Sequence, residues 1–347
     1  MINKKLISLA VVTAMVTPVT AYAKPEITWL GYAQLTAEAL DEKKPTNQDS
    51  FVFGVDRARL GFKITDKNVF GNLQIDVNKD GKDENGFMEL IKDAEAGYKY
   101  GSTDYIKIGQ FKTPVGMDFN TPENKLDITK LGMDSKLVLE RSQGIMMSGR
   151  NSNGGVGYDI FYGNATPRSA AVTGNPDSVG RDKATAFRIM FDSGENFHIE
   201  ISTGKSENAA GTINSASYSV NDLAFNFKTN TFTVKAEYIE GKDVLGISDR
   251  DEEVYFVHLG YTISKTYEVL GRYYKASADA YGTTVKSDLS NLYLGINLFL
   301  GSTKTNGRLQ LNYVIADGDT IGTSNEFSGV STGYMDDAIL LQYQVSI

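Results

Sequence analysis

The chain has 347 residues with 35 basic and 43 acidic side chains, which gives a formal net charge of −8 at pH 7. This acidic balance argues against a nucleic-acid-binding surface, so no nucleic-acid partner is expected. The sequence contains no cysteine, which excludes disulfides, thiolate metal sites and cysteine catalysis. Two histidines leave little for a zinc centre, and no cofactor is expected.

The first 23 residues have the features of a secretory signal peptide. Lys4 and Lys5 precede an apolar run from Leu6 to Val16, and residues 21–23 form a small-x-small cleavage site. The apolar run is shorter than the ~20 residues that a membrane-spanning helix needs. We therefore predict a cleaved signal peptide over residues 1–23 and a single domain over residues 24–347.

The mature chain is predicted to form sixteen short strands in which apolar and polar residues alternate. In the second strand, for example, Ala58, Leu60 and Phe62 alternate with Arg57 and Arg59. A period of two gives each strand one apolar and one polar face. The predicted strands are roughly 26–37, 50–65, 68–78, 89–100, 103–112, 143–150, 154–163, 183–192, 196–204, 217–228, 231–240, 251–263, 266–277, 288–300, 305–315 and 334–347.

The connections between these strands differ in length at the two ends. Those after even-numbered strands are short, whereas those after odd-numbered strands are mostly long and polar, as at 113–142 and 164–182. Every proline after the signal peptide lies in a connection or before the first strand, as a hydrogen-bonded ladder in hydrocarbon requires. The sequence therefore predicts an all-β fold, a transmembrane antiparallel β-barrel of 16 strands in the Gram-negative outer membrane.

The chain ends as a strand whose apolar residues, from Ile339 to Ile347, share one parity. This ending resembles the signal that the barrel-assembly machinery reads. That machinery and the surrounding outer-membrane lipid and lipopolysaccharide are the partners expected of such a barrel.

Three segments resemble the phosphate-selective porin O/P family. They are Arg57 to Phe62 (RARLGF), Tyr105 to Gly116 (YIKIGQFKTPVG) and Leu139 to Ser142 (LERS), and the resemblance is clearest over residues 51–163. It implies a sixteen-stranded porin, generally a homotrimer, whose third external loop folds into the barrel and narrows the pore. Here that loop would be residues 113–140. In this region Lys112, Lys125, Lys130 and Lys136 are mixed with Asp118, Glu123, Asp127 and Asp134, so strong phosphate selectivity is not expected.

Strand parity and proximity to this loop define the candidate pore residues. They are Arg57, Arg59, Lys63, Lys107, Lys112, Asp118, Glu123, Lys125, Asp127, Arg141, Arg188 and Arg272. Inside a low-dielectric wall such charges set the field that a passing ion meets. We expect passive diffusion of small hydrophilic solutes and ions. A weak anion preference is expected because Arg57, Arg59, Lys107 and Arg141 would converge on one wall while the loop is nearly neutral.

A short acidic segment imitates the start of a calcium-binding loop, with Asp76, Asn78 and Asp80 followed by Gly81. Its twelfth position is Phe87 rather than glutamate, so a polar hairpin loop is the favoured interpretation and no metal site is predicted.

Two other classes of function remain open on the sequence. An adhesin or receptor barrel would use the long Ser/Gly/Asn-rich loops at 164–182, 205–216 and 316–333. An outer-membrane hydrolase would need a histidine beside a serine. His198 and Ser202 share one strand face but would lie roughly 13 Å apart. No catalytic residues and no enzyme activity are therefore expected.

Overall fold

The computed structural model describes residues 24–40, 50–78, 90–150, 154–165, 183–207, 217–244, 248–279, 286–318 and 333–347. The predicted signal peptide lies outside the described residues. Sixteen β-strands account for most of the described chain. They are β1 Glu26–Leu40, β2 Ser50–Asp66, β3 Val69–Asp76, β4 Ile91–Lys99, β5 Tyr105–Lys112, β6 Arg141–Gly149, β7 Gly155–Asn164, β8 Lys183–Ser193, β9 Phe197–Ser206, β10 Tyr218–Lys228, β11 Phe232–Lys242, β12 Glu252–Thr262, β13 Tyr267–Asp279, β14 Lys286–Phe299, β15 Gly307–Gly318 and β16 Ala338–Ser346.

The strands form a closed antiparallel barrel. Each strand pairs with the next one in the chain, and β1 closes the sheet on β16 with a register from Tyr32 opposite Ser346 to Leu40 opposite Ala338. Closure leaves no strand edge with unpaired backbone groups, which is the condition for a sheet in hydrocarbon. The predicted fold class and strand number are confirmed.

The last strand begins later than the sequence predicted, at Ala338 rather than near residue 334. The backbone N–H of Tyr334 donates to Asn291 Oδ1 at 2.8 Å, and the Tyr334 carbonyl accepts from Asn291 Nδ2 at 2.7 Å. The Asn291 amide thus binds both the N–H and the carbonyl of Tyr334, so these groups do not pair with β15. The hydrogen-bonded ladder between β15 and β16 starts only at Ala338.

The barrel has a short-turn end and a long-loop end. Connections after even-numbered strands have two to seven residues, whereas those after odd-numbered strands have six to 28. Both described termini lie at the short-turn end, where β1 begins and β16 ends. Among the described residues, no helix is long or apolar enough to cross a membrane.

Side chains alternate between an apolar outer face and a polar inner face. Trp29, Ile201 and Leu259 are large apolar residues on the outer face and are more than half exposed. Arg272 and Gln310 point inward and are fully buried. This is the inverse of a soluble protein and is the arrangement of a barrel whose outer face meets lipid.

The connection between β5 and β6, residues 113–140, is the longest and is fully described. We call it loop 3. It contains the short helix α1, Met117–Asn120, and two 3₁₀ turns, Glu123–Lys125 and Met133–Lys136. Most of its apolar side chains pack in one buried cluster with inward-facing residues of the wall such as Val220, Ile239 and Phe256. Each fully buried leucine or methionine of the loop contributes about 1.5–3 kcal/mol to this packing.

The backbone at Gly109 and Gly116 explains why the segment from Tyr105 to Gly116 has glycine at these two positions. Gly109 has φ +133° and Gly116 has φ +83°, conformations that side-chain-bearing residues rarely adopt. A Cβ on Gly116 would lie 2.6 Å from Val138 Cγ1, where the loop returns to the wall. Glycine at 116 therefore permits the close approach of the two ends of the loop.

Candidate functional site: the barrel interior around loop 3

A row of amide side chains holds the backbone of loop 3 against strands β14, β15, β16 and β1. Gln310 Nε2 donates to the Asp127 carbonyl at 3.0 Å, and Gln342 Nε2 donates to the Thr129 carbonyl at 2.8 Å. Further donors to the carbonyls of residues 123–127 are Gln34, Asn297, Arg308 and Gln344. These bonds satisfy carbonyls of the 3₁₀ turn Glu123–Lys125 and of the irregular backbone that follows it, and so hold this part of the loop against the barrel wall.

The front of the loop, which faces β1 to β6, meets the wall at Glu123. Arg59 forms a bidentate pair with the Glu123 carboxylate, with the NH2–Oε1 contact at 3.2 Å, and its Nε donates to Asp76 at 3.1 Å. Lys112 Nζ lies 3.6 Å from Glu123 Oε1. Burial alone would raise the pKa of the Glu123 carboxyl, but Lys112 and Arg59 outweigh burial and hold that pKa well below its usual range. Glu123 is therefore ionised at any ordinary pH.

The back of the loop, which faces β10 to β13, meets a second set of charges. Arg272 is fully buried and donates to Asp118 Oδ2 at 2.8 Å and to Asp127 Oδ2 at 3.2 Å. Lys235 Nζ donates to Asp127 at 2.6 Å. Burial opposes ionisation of Asp127, but Lys235 and Arg272 hold the pKa of its carboxyl well below the usual value. Asp127 thus ties the loop to two strands, β11 and β13.

Two cavities remain beside the loop, on its β1–β6 side. The outer cavity, of about 600 Å³, opens toward the long-loop end and is lined by Glu38 and Gly333 among others. The inner cavity, of about 440 Å³, opens toward the short-turn end, where Ile347 lines it. Glu123 and Arg141 line both cavities, so these two side chains mark where the cavities adjoin. The Arg141 guanidinium pairs with Asp93 at 3.0 Å.

The sequence-predicted pore residues fall into three places. Arg57, Arg59, Glu123 and Arg141 line the outer cavity. The inner cavity is lined by Lys63, Lys107, Lys112, Glu123, Lys125, Arg141 and Arg188. Asp118, Asp127 and Arg272 line neither of these cavities and lie behind the loop in the buried network described above.

Several residues at the cavities were not singled out from the sequence. Tyr334 and Lys136 line the outer cavity, and Tyr32 lines the inner one, where its hydroxyl donates to Glu123 at 3.5 Å. The sequence indicated only that the Tyr32 side chain points into the barrel, because Tyr32 has the parity of the inner face of β1. The approach of Tyr334 to the cavity depends on the backbone path set by Asn291.

The histidines have carboxylate or guanidinium neighbours rather than serine. His198 contacts Asp192 at 2.7 Å and Glu200 at 2.9 Å, whereas Ser202 Oγ donates to Asp222 at 3.0 Å. Arg272 Nε donates to His258 Nδ1 at 3.3 Å. Within the described residues, neither histidine is hydrogen-bonded to a serine hydroxyl.

The calcium-loop-like segment is only partly described, because Asp80 lies outside the described residues. Asp76 pairs with Arg59, and Asn78 Nδ2 donates to the backbone carbonyls of Val55 and Asp56. In the part of the chain that the structure describes, no group of three or more His, Cys, Asp or Glu could hold a metal ion.

The fold is similar to solved outer-membrane proteins at low sequence identity. The trimer form of OmpT, an outer membrane protein of Vibrio cholerae, is 12% identical, covers 94% of this chain and 100% of its own, and has a TM-score of 0.65. Salmonella typhi OmpF in complex with daunomycin is 13% identical, with 93% and 98% covered and a TM-score of 0.67. The anion-selective porin from Comamonas acidovorans is 14% identical, with 93% and 100% covered and a TM-score of 0.64. At such identities the likeness shows the fold alone.

No curated protein sequence is significantly similar to this chain. The family described as Gram-negative porin matches residues 8–319, which is most of the chain and includes loop 3 and fifteen of the sixteen strands. This match agrees with a closed sixteen-stranded barrel that has an apolar outer face and charged cavities inside. The chain therefore belongs to the family of Gram-negative porins.

Proposed function

We propose that the protein forms a water-filled channel in the outer membrane, through which small hydrophilic solutes and ions diffuse passively. The observation that carries this proposal is the pair of charged cavities that adjoin at Glu123 and Arg141 inside a closed barrel. Cavities of about 600 and 440 Å³ have the volume of small-molecule sites, so ions and simple sugars fit them. Loop 3 is the proposed constriction, since it fills the β10–β15 side of the interior.

The proposed selectivity is a weak preference for anions. The described residues that line the inner cavity include six basic and three acidic side chains, whereas the outer cavity has six basic and five acidic ones. Lys63 and Lys125 line the inner cavity, and neither has a carboxylate partner among the described residues. Most of the other charges are paired, which keeps the expected preference small.

A closer relationship to the phosphate-selective porin O/P family stays a proposal, supported by the sequence resemblance over residues 51–163. The family match does not distinguish that group from other porins. Mixed charges at the constriction, where Glu123 lies between Arg59 and Lys112, favour a channel that discriminates little between phosphate and chloride.

We also propose a homotrimer in the outer membrane after removal of residues 1–23, assembled by the barrel-assembly machinery and surrounded by lipopolysaccharide. The OmpT trimer, which has the same fold, supports this assembly. A hydrolase role has no support in the described residues, because the contacts of His198 and His258 are to charged side chains. The loops that an adhesin or receptor would use lie mostly outside the described residues.

Solute flux into proteoliposomes tests the proposal. Vesicles that contain the folded protein should swell in an iso-osmotic monosaccharide solution, and the rate should fall as the sugar becomes larger, because the adjoining cavities limit the size of the solute. Vesicles with boiled protein are the control. Equal swelling rates for folded and boiled protein would contradict a diffusion channel.

A further inference from the structure

Behind loop 3, four carboxyl groups are brought together with too few hydrogen-bond donors to satisfy them. We call them the rear carboxyl cluster: Asp118 and Asp134 on the loop, Asp222 on β10 and Glu237 on β11. Their exposed fractions are between 0 and 3%. Five of their oxygens, namely Asp118 Oδ1, both Asp134 oxygens, Asp222 Oδ1 and Glu237 Oε1, have no hydrogen-bond partner among the described residues.

The contacts within the cluster link the loop to the wall. The backbone N–H of Asp118 donates to Glu237 Oε2 at 2.9 Å, and Asp222 and Glu237 lie on the inner face of the paired strands β10 and β11, two residues apart in register. Buried carboxylates that neighbour one another repel, so a proton bound in the cluster relieves this repulsion. Asp134 lies near Asp118 and interacts electrostatically with Asp222 and Glu237.

The surroundings provide little positive charge. Arg272 is the cation that bonds directly to a cluster member in the described chain, through Asp118, and it is shared with Asp127. Lys235 forms an ion pair with Asp127, and Arg188 forms ion pairs with Asp159 and Glu200. Other buried titratable groups on the packed elements include Glu200 on β9, Tyr218 on β10, Glu252 and His258 on β12, Glu268 and Tyr274 on β13 and Tyr293 on β14. Four ionised carboxylates around one guanidinium in a buried site would be strongly unfavourable.

We propose that protons bound by the rear carboxyl cluster keep loop 3 seated against β10–β13, and that their loss lets the loop move into the channel and close it. The direction of the loop movement follows from the positions of the four carboxyl groups. Asp118 and Asp134 are on the loop and Asp222 and Glu237 are on the wall, so repulsion pushes the loop away from this wall. The space on its other side is the pair of cavities that Glu123 and Arg141 line. This inference rests on the proposed channel function.

The pKa of the loop carboxyl Asp134 agrees with this geometry. Burial, and next the charge of Asp118, raise the pKa of Asp134 to about 7. A group with a raised pKa binds its proton more tightly in the seated loop than in a solvated one. Seating is therefore favoured at acid pH and weakens as the pH rises from about 4 to about 7.

The experiment compares single-channel recordings of the full protein at about pH 5 and about pH 8. We expect the ratio of closed to open time at fixed voltage to rise at least about tenfold between these two pH values. The double variant Asp134→Asn/Asp222→Asn keeps the shape of both side chains but leaves these two positions neutral, so its ratio should change much less with pH than that of the native protein. Glu195→Gln, in the exposed turn between β8 and β9, is the matched control and should behave like the native protein.

A second measurement follows the loop itself and does not depend on conductance. Amide hydrogen exchange of residues 117–139 in micelles, corrected for the intrinsic pH dependence, should be faster at about pH 8 in the native protein than in the double variant. A native protein with no pH dependence in either readout overturns the proposal, as does a double variant that keeps the native pH dependence. If the native protein conducts at neither pH, the proposed channel function fails, whereas the exchange of the loop still decides the seating mechanism. If the double variant does not fold, the single variant Asp134→Asn replaces it and should lose most of the pH dependence.

Discussion

Glu123 is the acidic side chain at the junction of the two cavities, and the substitution Glu123→Gln isolates its charge. The carboxylate is ionised because Lys112 and Arg59 hold its pKa well below the usual range despite burial. Glutamine keeps the shape and can still accept a hydrogen bond from Arg59. Arg59 retains Asp76, and Lys112 retains the Phe119 and Thr121 carbonyls, so the loop should stay in place.

The magnitude follows from Coulomb's law. An ion that passes about 5 Å from the carboxylate in water gains or loses about 0.8 kcal/mol. Anions and cations change in opposite directions, and screening at about 0.1 M salt reduces the combined difference to about 1 kcal/mol. The chloride-to-potassium permeability ratio should therefore increase about fivefold.

Reversal potentials in a potassium chloride gradient measure this ratio. Glu195→Gln removes the same charge from a short-turn-end loop outside the cavities and should leave the ratio nearly unchanged. An unchanged ratio in Glu123→Gln, with normal conductance and normal heat stability, would show that Glu123 does not face the path of the ions.

Three further predictions concern the wall, the loop and the barrel. The double substitution Arg57→Ala/Arg59→Ala leaves Asp56, Asp76 and Glu123 without these partners. The reversal potential should therefore move toward that of potassium, with a chloride-to-potassium permeability ratio lower by a few-fold. An unchanged reversal potential would mean that these arginines do not set the field. Deletion of residues 120–128 removes the part of loop 3 that carries Glu123 and should raise single-channel conductance, whereas an assembled deletion variant of native conductance would place the loop outside the path. Closed ladders unfold slowly in detergent, so boiled and unboiled samples should migrate differently on a gel, and identical migration would contradict the barrel.

The strands were predictable because two solvents act on the two faces of each strand. The alternation of residues 57–62 and the sorting of short and long connections both follow from lipid outside and water inside. The predicted bounds agree with the structure within a few residues, as for β5, which was predicted at 103–112 and is Tyr105–Lys112. The start of β16 differs because the side chain of Asn291, on another strand, holds Tyr334.

The interior was less predictable because parity gives the direction of a side chain but not what it meets there. Arg272 was expected to point inward, but its partner Asp118 is 154 residues away in sequence, and that pairing places Arg272 behind the loop. Gln310 likewise shares the parity of a water-facing residue, although its amide binds the backbone of Asp127. The path of loop 3 depends on such long-range contacts, which no local pattern encodes.

We propose that a water-filled channel runs through the barrel between loop 3 and strands β1–β6. Ion conductance across a planar bilayer, recorded with purified folded protein in a potassium chloride gradient, tests this channel most directly. We expect stepwise current increases and a reversal potential that corresponds to a small excess of chloride permeability. Folded, heat-modifiable protein that inserts without current steps, or a channel that strongly prefers potassium, would contradict it.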